Sequence, residues 1–149
     1  MLKYDKYDIE SPEPFLVFEF KSEGPKGVIS KQVRFEMIPG LDNVFNLGFG
    51  DLKSSGEIND IVVTDNNDGE KVLATVASAI FMFFDSHPES MVHIEGSTPA
   101  RIRLYQMRIA RHLAEVRDEF HVVGYTNGSW HPFERGINFS AFLVSKRNN

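Results

Sequence analysis

A chain of 149 residues with a net charge of −5 is the size of one domain, and folding at this length buries roughly two-thirds of the unfolded surface. It contains no Cys, which excludes disulfides, thiolate metal sites and cysteine nucleophiles. The acidic balance argues against indiscriminate attachment to nucleic acid or anionic membrane, and the longest apolar run, around Ala77 to Phe84, is too short to span a bilayer.

The first residues, Met1 to Asp8, have no apolar h-region or small-residue cleavage site, so no secretory leader is expected and a cytoplasmic location is. Phe15 to Lys21 and Val28 to Met37 alternate around Glu23-Gly24-Pro25-Lys26-Gly27, the pattern of a β-hairpin. Phe45, Leu47 and Phe49 alternate along a third strand closed by Gly50-Asp51, and Ile58 to Val63 predict a fourth. Glu70 to Asp85 predict a helix capped by Asp68 or a neighbour and ended by Pro88. Its apolar residues cover a wide arc and leave a narrow polar strip of Lys71, Thr75, Ser78 and Asp85, so it should lie across the sheet, mostly buried. Met91 to Glu95 predict a strand and Thr98 to about Arg117 a second helix. Phe120 to Thr126 and Ser129 to Arg135 flank Asn127-Gly128, the strongest two-residue hairpin signal. A last strand, Phe139 to Ser145, precedes a polar tail.

The expected fold is therefore one α+β domain over residues 1–149, with 1–13 and 146–149 as loose ends. It has an antiparallel meander of about four strands, a buried helix, a strand, an Arg-rich helix and a C-terminal antiparallel hairpin plus strand. Thirteen Phe against four Tyr and one Trp point to an aromatic core.

From Pro99 to Arg117 the chain carries five Arg and one acid, a basic island on an acidic protein. At helical spacing Ile102, Ile109, Leu113 and Val116 face the core, while Arg101, Tyr105, Arg108 and His112 form a stripe beside them. Leu104 and Met107 make a smaller apolar patch beyond the stripe, to be covered by another element or by a second subunit. Ser97 or Thr98 is a good N-cap and Pro99 suits the first turn. Free backbone donors there, with Arg101 and Arg103 close by, suit a phosphate or carboxylate. The competing reading pairs these arginines with internal acids such as Glu95, Asp51 or Asp60.

In the last hairpin Tyr125 should oppose Trp130, and His121 should oppose Glu134. The aromatic pair suits stacking on a base or simply stabilises the hairpin. Pro132 marks an edge strand. Asp65 to Glu70 fails as a calcium loop, its Gly standing one place early. The five His include no metal-ligand spacing, and no Walker or dinucleotide loop occurs. No cofactor, metal or catalytic residue is assigned.

Phe45-Asn46-Leu47-Gly48-Phe49-Gly50-Asp51, Lys71 to Ala77 and Gly96 to Tyr105 together resemble the characteristic blocks of a family of small bacterial proteins classed as a domain of unknown function. The resemblance covers about Phe15 to Lys146. It implies no activity, and it makes the Gly96–Tyr105 block a family feature. The meander and long helix are also similar to the half-unit of Whirly-type single-stranded-DNA-binding regulators, which dimerise through the helix; the strand–helix–hairpin continuation departs from their repeat.

The leading expectation is a non-enzymatic homodimeric domain that binds phosphate-bearing ligands, nucleic acid among them. Ser97, Thr98, Arg101, Arg103 and Arg108 would hold phosphates while Tyr105, Tyr125 or Trp130 stack on bases. The alternatives are an enzyme on a small anionic substrate, with His121 or His112 as acid/base, and a protein-interaction module of a toxin–antitoxin or defence system using Leu104 and Met107.

Overall fold

The computed structural model describes residues 6–13, 16–55, 58–59, 66–95, 100–115 and 119–147. β1 (Glu10–Glu13), which no alternation marks in the sequence, pairs antiparallel with β2 (Val17–Gly24). The Glu23–Gly27 turn then returns the chain as β3 (Gly27–Met37), which pairs with β2 from Val17↔Arg34 to Gly24↔Gly27. β4 (Val44–Leu52) continues the meander, and β5 (Ile58–Asn59) pairs with β4. The predicted continuation of that strand to Val63 lies outside the described residues. Beyond it come α1 (Gly69–Ser86), β6 (Met91–Glu95), α2 (Ala100–Glu115), β7 (Phe120–Thr126), β8 (Ser129–Pro132) and β9 (Ala141–Lys146).

One sheet holds all the strands in the order β1-β2-β3-β4-β6-β9-β7-β8, with β5 beside β4 off that path. Every pairing is antiparallel except β4–β6, where Val44, Phe45 and Asn46 lie against Met91, Val92 and His93. A parallel pair needs a crossover connection, and α1 lies within it. The fold is α+β, as the residue pattern predicts.

The Asn127-Gly128 turn has φ of 51° and 81°, positive at both central residues as a type I′ turn requires. Tyr125 opposes Trp130 as expected, but the ladder ends at Val123↔Pro132. His121 therefore opposes Ser145 of β9 and not Glu134. Pro132 has no N–H to extend the ladder, and β8 forms one edge of the sheet.

Alternation gives the sheet one apolar face, and both helices contribute to the core formed on it. Phe83 of α1 stacks on Phe35 of β3 at 4.3 Å between ring centroids and meets Phe45 of β4 edge-on at 5.0 Å. Phe81 and Phe84 reach Phe120 of β7 at 5.2 and 5.3 Å. α1 thus spans the sheet from β3 to β7, and offset and edge-on ring pairs strengthen the packing beyond area alone. Close approach is also built into β7: a Cβ on Gly124 would stand 2.4 Å from the Phe139 ring.

Within the polar strip expected on α1, Asp85 is exposed and Lys71 half-buried, but the middle of the strip is covered. Thr75 and Ser78 are buried because residues 6–9 lie over them: Tyr7 N donates to Thr75 Oγ1 at 2.8 Å, and Lys6 Nζ donates to Ser78 Oγ at 3.0 Å. Asp68 stands at the N-cap position without capping through its side chain. Its Oδ2 instead accepts from Tyr7 Oη and Ser22 Oγ, each at 2.6 Å, and Asn66 Nδ2 ties Ser22 to the Gly27 carbonyl. Burial, reinforced by the bond to Asp68, raises the Tyr7 phenol above its ordinary 10.0.

At the same end of the apolar face, Lys31 is fully buried (0% exposed) and donates to Asp51 Oδ1 at 2.5 Å. A buried ion whose partner is removed costs about 3–5 kcal/mol, whereas replacing both by apolar residues is often neutral or better. Lys31→Met should therefore lower the free energy of urea unfolding by about 3–5 kcal/mol, and Lys31→Met with Asp51→Leu should regain most of it. Equal losses in the single and double variants would mean that the pair is not the source of the cost.

Candidate functional site

Of the α2 residues expected to face the core, Ile109 and Leu113 are buried in it, joined by Ala110; Val116 and the Ile102 side chain lie outside the described residues. Leu104 is 52% exposed, so among the described residues nothing covers it, while Met107 is half-buried against the core. Gln106 is buried despite its polarity; its place one turn from Ala110 and Ile109 on the core side was the available signal.

Ser97 and Thr98 lie outside the described residues. Arg101, Arg103 and Tyr105 belong to the first turns of α2, and their side chains likewise lie outside the described set. Arg108 is the arginine of the predicted set whose surroundings are described. It is exposed, and among the described residues no carboxylate lies within ion-pair range of it.

Arg108 lines a cleft of about 260 Å³ between the first turn of α1 and the last two turns of α2. Arg111, His112 and Glu115 share its α2 wall, and Glu70 and Leu73 stand on α1. The start of one helix thus lies beside the end of the other, an arrangement in which the helix dipoles attract. Arg111 pairs with Glu115 one turn on, Nε to Oε1 at 3.5 Å, which the i,i+4 spacing already offered. Arg135 also donates to Glu115. That bond holds the Glu115 carboxyl below its ordinary value, against a smaller opposing effect of burial.

His112 of the predicted stripe is half-buried in this cleft. Burial lowers its imidazole below the ordinary 6.5, and the nearby Glu115 and Glu70 carboxylates only partly offset this. Arg108 and His112 therefore come together as the stripe requires, and Glu70 and Arg111 join them as partners that the stripe alone did not identify.

Tyr125 and Trp130 do not join this group. Their rings meet edge-on at 5.1 Å, and both are exposed. Along β7, Phe120 and Val122 enter the core; Tyr125 has the opposite parity and lies on the sheet face away from the helices. An arginine clamp and an aromatic platform converging on one nucleotide are not what this geometry provides. His121 shares the parity of Tyr125 and does not line the cleft that holds His112. Asp51, named as a partner for the arginines, is bonded to Lys31. No group of three or more metal-ligating side chains occurs among the described residues, and no described helix is long and apolar enough to cross a membrane.

The His112 environment has a measurable sign. Because the folded state holds the imidazole below its ordinary 6.5, the unfolded chain binds the proton first, and stability falls as the pH drops through that value. His112→Gln should flatten the fall in unfolding free energy between about pH 7 and about pH 5. An unchanged pH profile in that variant would show that His112 protonates as readily folded as unfolded.

No curated protein matches the chain significantly. No solved structure does so either. A family model does, over residues 3–147, a span that includes every described strand and both helices. The chain belongs to DUF6934, a family of unknown function.

Proposed function

We propose that this chain is a non-enzymatic binding domain for a phosphate-bearing ligand, nucleic acid or small molecule, engaged at the cleft between α1 and α2. The observation that carries the reading is Arg108, an exposed guanidinium with no carboxylate partner among the described residues, set beside Arg111 and His112. A guanidinium offers planar paired donors that match a phosphoryl group and keeps its charge at every working pH. Arg101 and Arg103 precede it on the same helix and add to the positive field.

Calorimetric titration with pyrophosphate at low salt tests the reading. The wild-type chain should bind it, and Arg108→Ala should weaken binding on the order of tenfold or more, the worth of a hydrogen bond to a charged group. Arg108 is exposed, so this variant keeps the fold. Absence of binding in wild type, or equal binding in the variant, overturns the reading.

The same proposal places the domain in the cytoplasm as a homodimer, with the exposed Leu104 and neighbouring Met107 at the contact between copies. Leu104→Glu should then shift the mass measured by light scattering from dimer to monomer. A monomeric wild type at high concentration removes the dimer from the proposal.

A further inference from the structure

The cleft is bounded by carboxylates as well as by arginines. Glu115, at its α2 end, is committed to Arg111 and Arg135. Glu70, on the α1 wall, is exposed and has no ion-pair partner among the described residues. Between the charged groups, the partly exposed Leu73 supplies an apolar surface. The space of about 260 Å³ is below the roughly 300–1,000 Å³ of pockets for larger ligands, so it suits a small one.

These features discriminate between kinds of phosphate. A nucleic-acid strand carries a charge about every 3.4 Å, so a strand laid along the cleft must bring successive phosphates past Glu70 and Glu115. It must do so on a chain of net charge −5. A small monoester presents its charge once, where Arg108 and Arg111 stand, and its remaining groups can meet the other wall. An unpaired carboxylate facing that space is an acceptor for hydroxyl or ammonium donors and a repellent for further anions.

We propose, building on the phosphate-binding reading above, that the cleft takes a small phosphomonoester bearing a hydroxyl or amino group, with the phosphoryl group on Arg108 and Arg111 and the donor on Glu70. Leu73 contacts the carbon skeleton between the two ends. Glu70 then supplies selectivity. It favours ligands that carry a donor and disfavours polymers that carry further phosphates, the two-sided discrimination that specific sites need.

The test titrates wild type, Arg108→Ala and Glu70→Gln with inorganic phosphate, ribose 5-phosphate, phosphoserine and an oligothymidylate lacking terminal phosphates. Wild type should bind at least one monoester more tightly than inorganic phosphate and should not bind the oligonucleotide. Glu70→Gln should weaken that monoester on the order of tenfold while leaving inorganic phosphate unchanged; Arg108→Ala should weaken both. Oligonucleotide binding as tight as the monoester's overturns the inference and leaves the broader reading standing. So does monoester affinity no better than that of inorganic phosphate, or monoester affinity unaffected by Glu70→Gln. Failure of every probe, inorganic phosphate included, removes both.

Discussion

A charge with no route to solvent must be held by an opposite charge, and the Lys31–Asp51 pair imposes that condition on the N-terminal half of the fold. Lys31 and Asp51 lie on adjacent strands directly opposite one another, so the bond exists only in one register of β3 against β4. A slip of β3 by one residue would turn Lys31 to the face opposite Asp51 and bring its apolar neighbours out of the core. Near the same end of the sheet, Ser22, Asn66, Asp68 and Tyr7 form a second polar group, closed by hydrogen bonds from the N-terminal segment. Together they fix where α1 begins relative to the sheet. The candidate cleft depends on that placement, since its α1 wall is the first turn of the helix.

From that fixed start α1 is steered by aromatic contacts. Phe83 sits between Phe35 and Phe45 and also stacks on His87, while Phe84 turns toward Phe120. The helix therefore bridges the meander and the C-terminal strands, and α2 packs beside it against β6, β7 and β9. The polar wall of α2 that faces α1 is lined by side chains whose charge state the fold controls. Arg135 secures Glu115, and burial keeps His112 toward its neutral form.

Much of the fold was legible because short-range chemistry decided it. Asn127-Gly128 specified its turn, Met91 to Glu95 its strand, and the periodicity of residues 70–85 its helix to within a residue at each end. Lys31 was legible in principle: it shares parity with Ile29, Val33 and Phe35, so strict alternation places it inside, yet its charge argues for the surface. The burial of Thr75 and Ser78 within the polar strip was not legible because residues 6–9 cover them through contacts remote in sequence. Asp68 was misread as a cap for the same reason, its carboxylate being claimed by Tyr7 and Ser22. In the candidate site, the helical spacing that grouped Arg108 with His112 was local and visible. The contribution of Glu70 required knowing that two helices run side by side, and the separation of Tyr125 and Trp130 from the arginines required knowing which face of the sheet the helices occupy.

The seam between β4 and β6 joins two antiparallel systems through only three residue pairs, and it links segments separated by the whole of α1. Hairpins on either side close over short loops, whereas this seam must await a helix and a long closure, whose entropic cost comes before its contacts are made. Local information favours β2–β3 and β7–β8, and the joint that completes the sheet carries the larger closure cost. The two systems can then open as separate cooperative units, with α1 as the brace across them. A ligand gripping α1 and α2 together would act on that brace, linking occupancy of the cleft to how tightly the two halves are held.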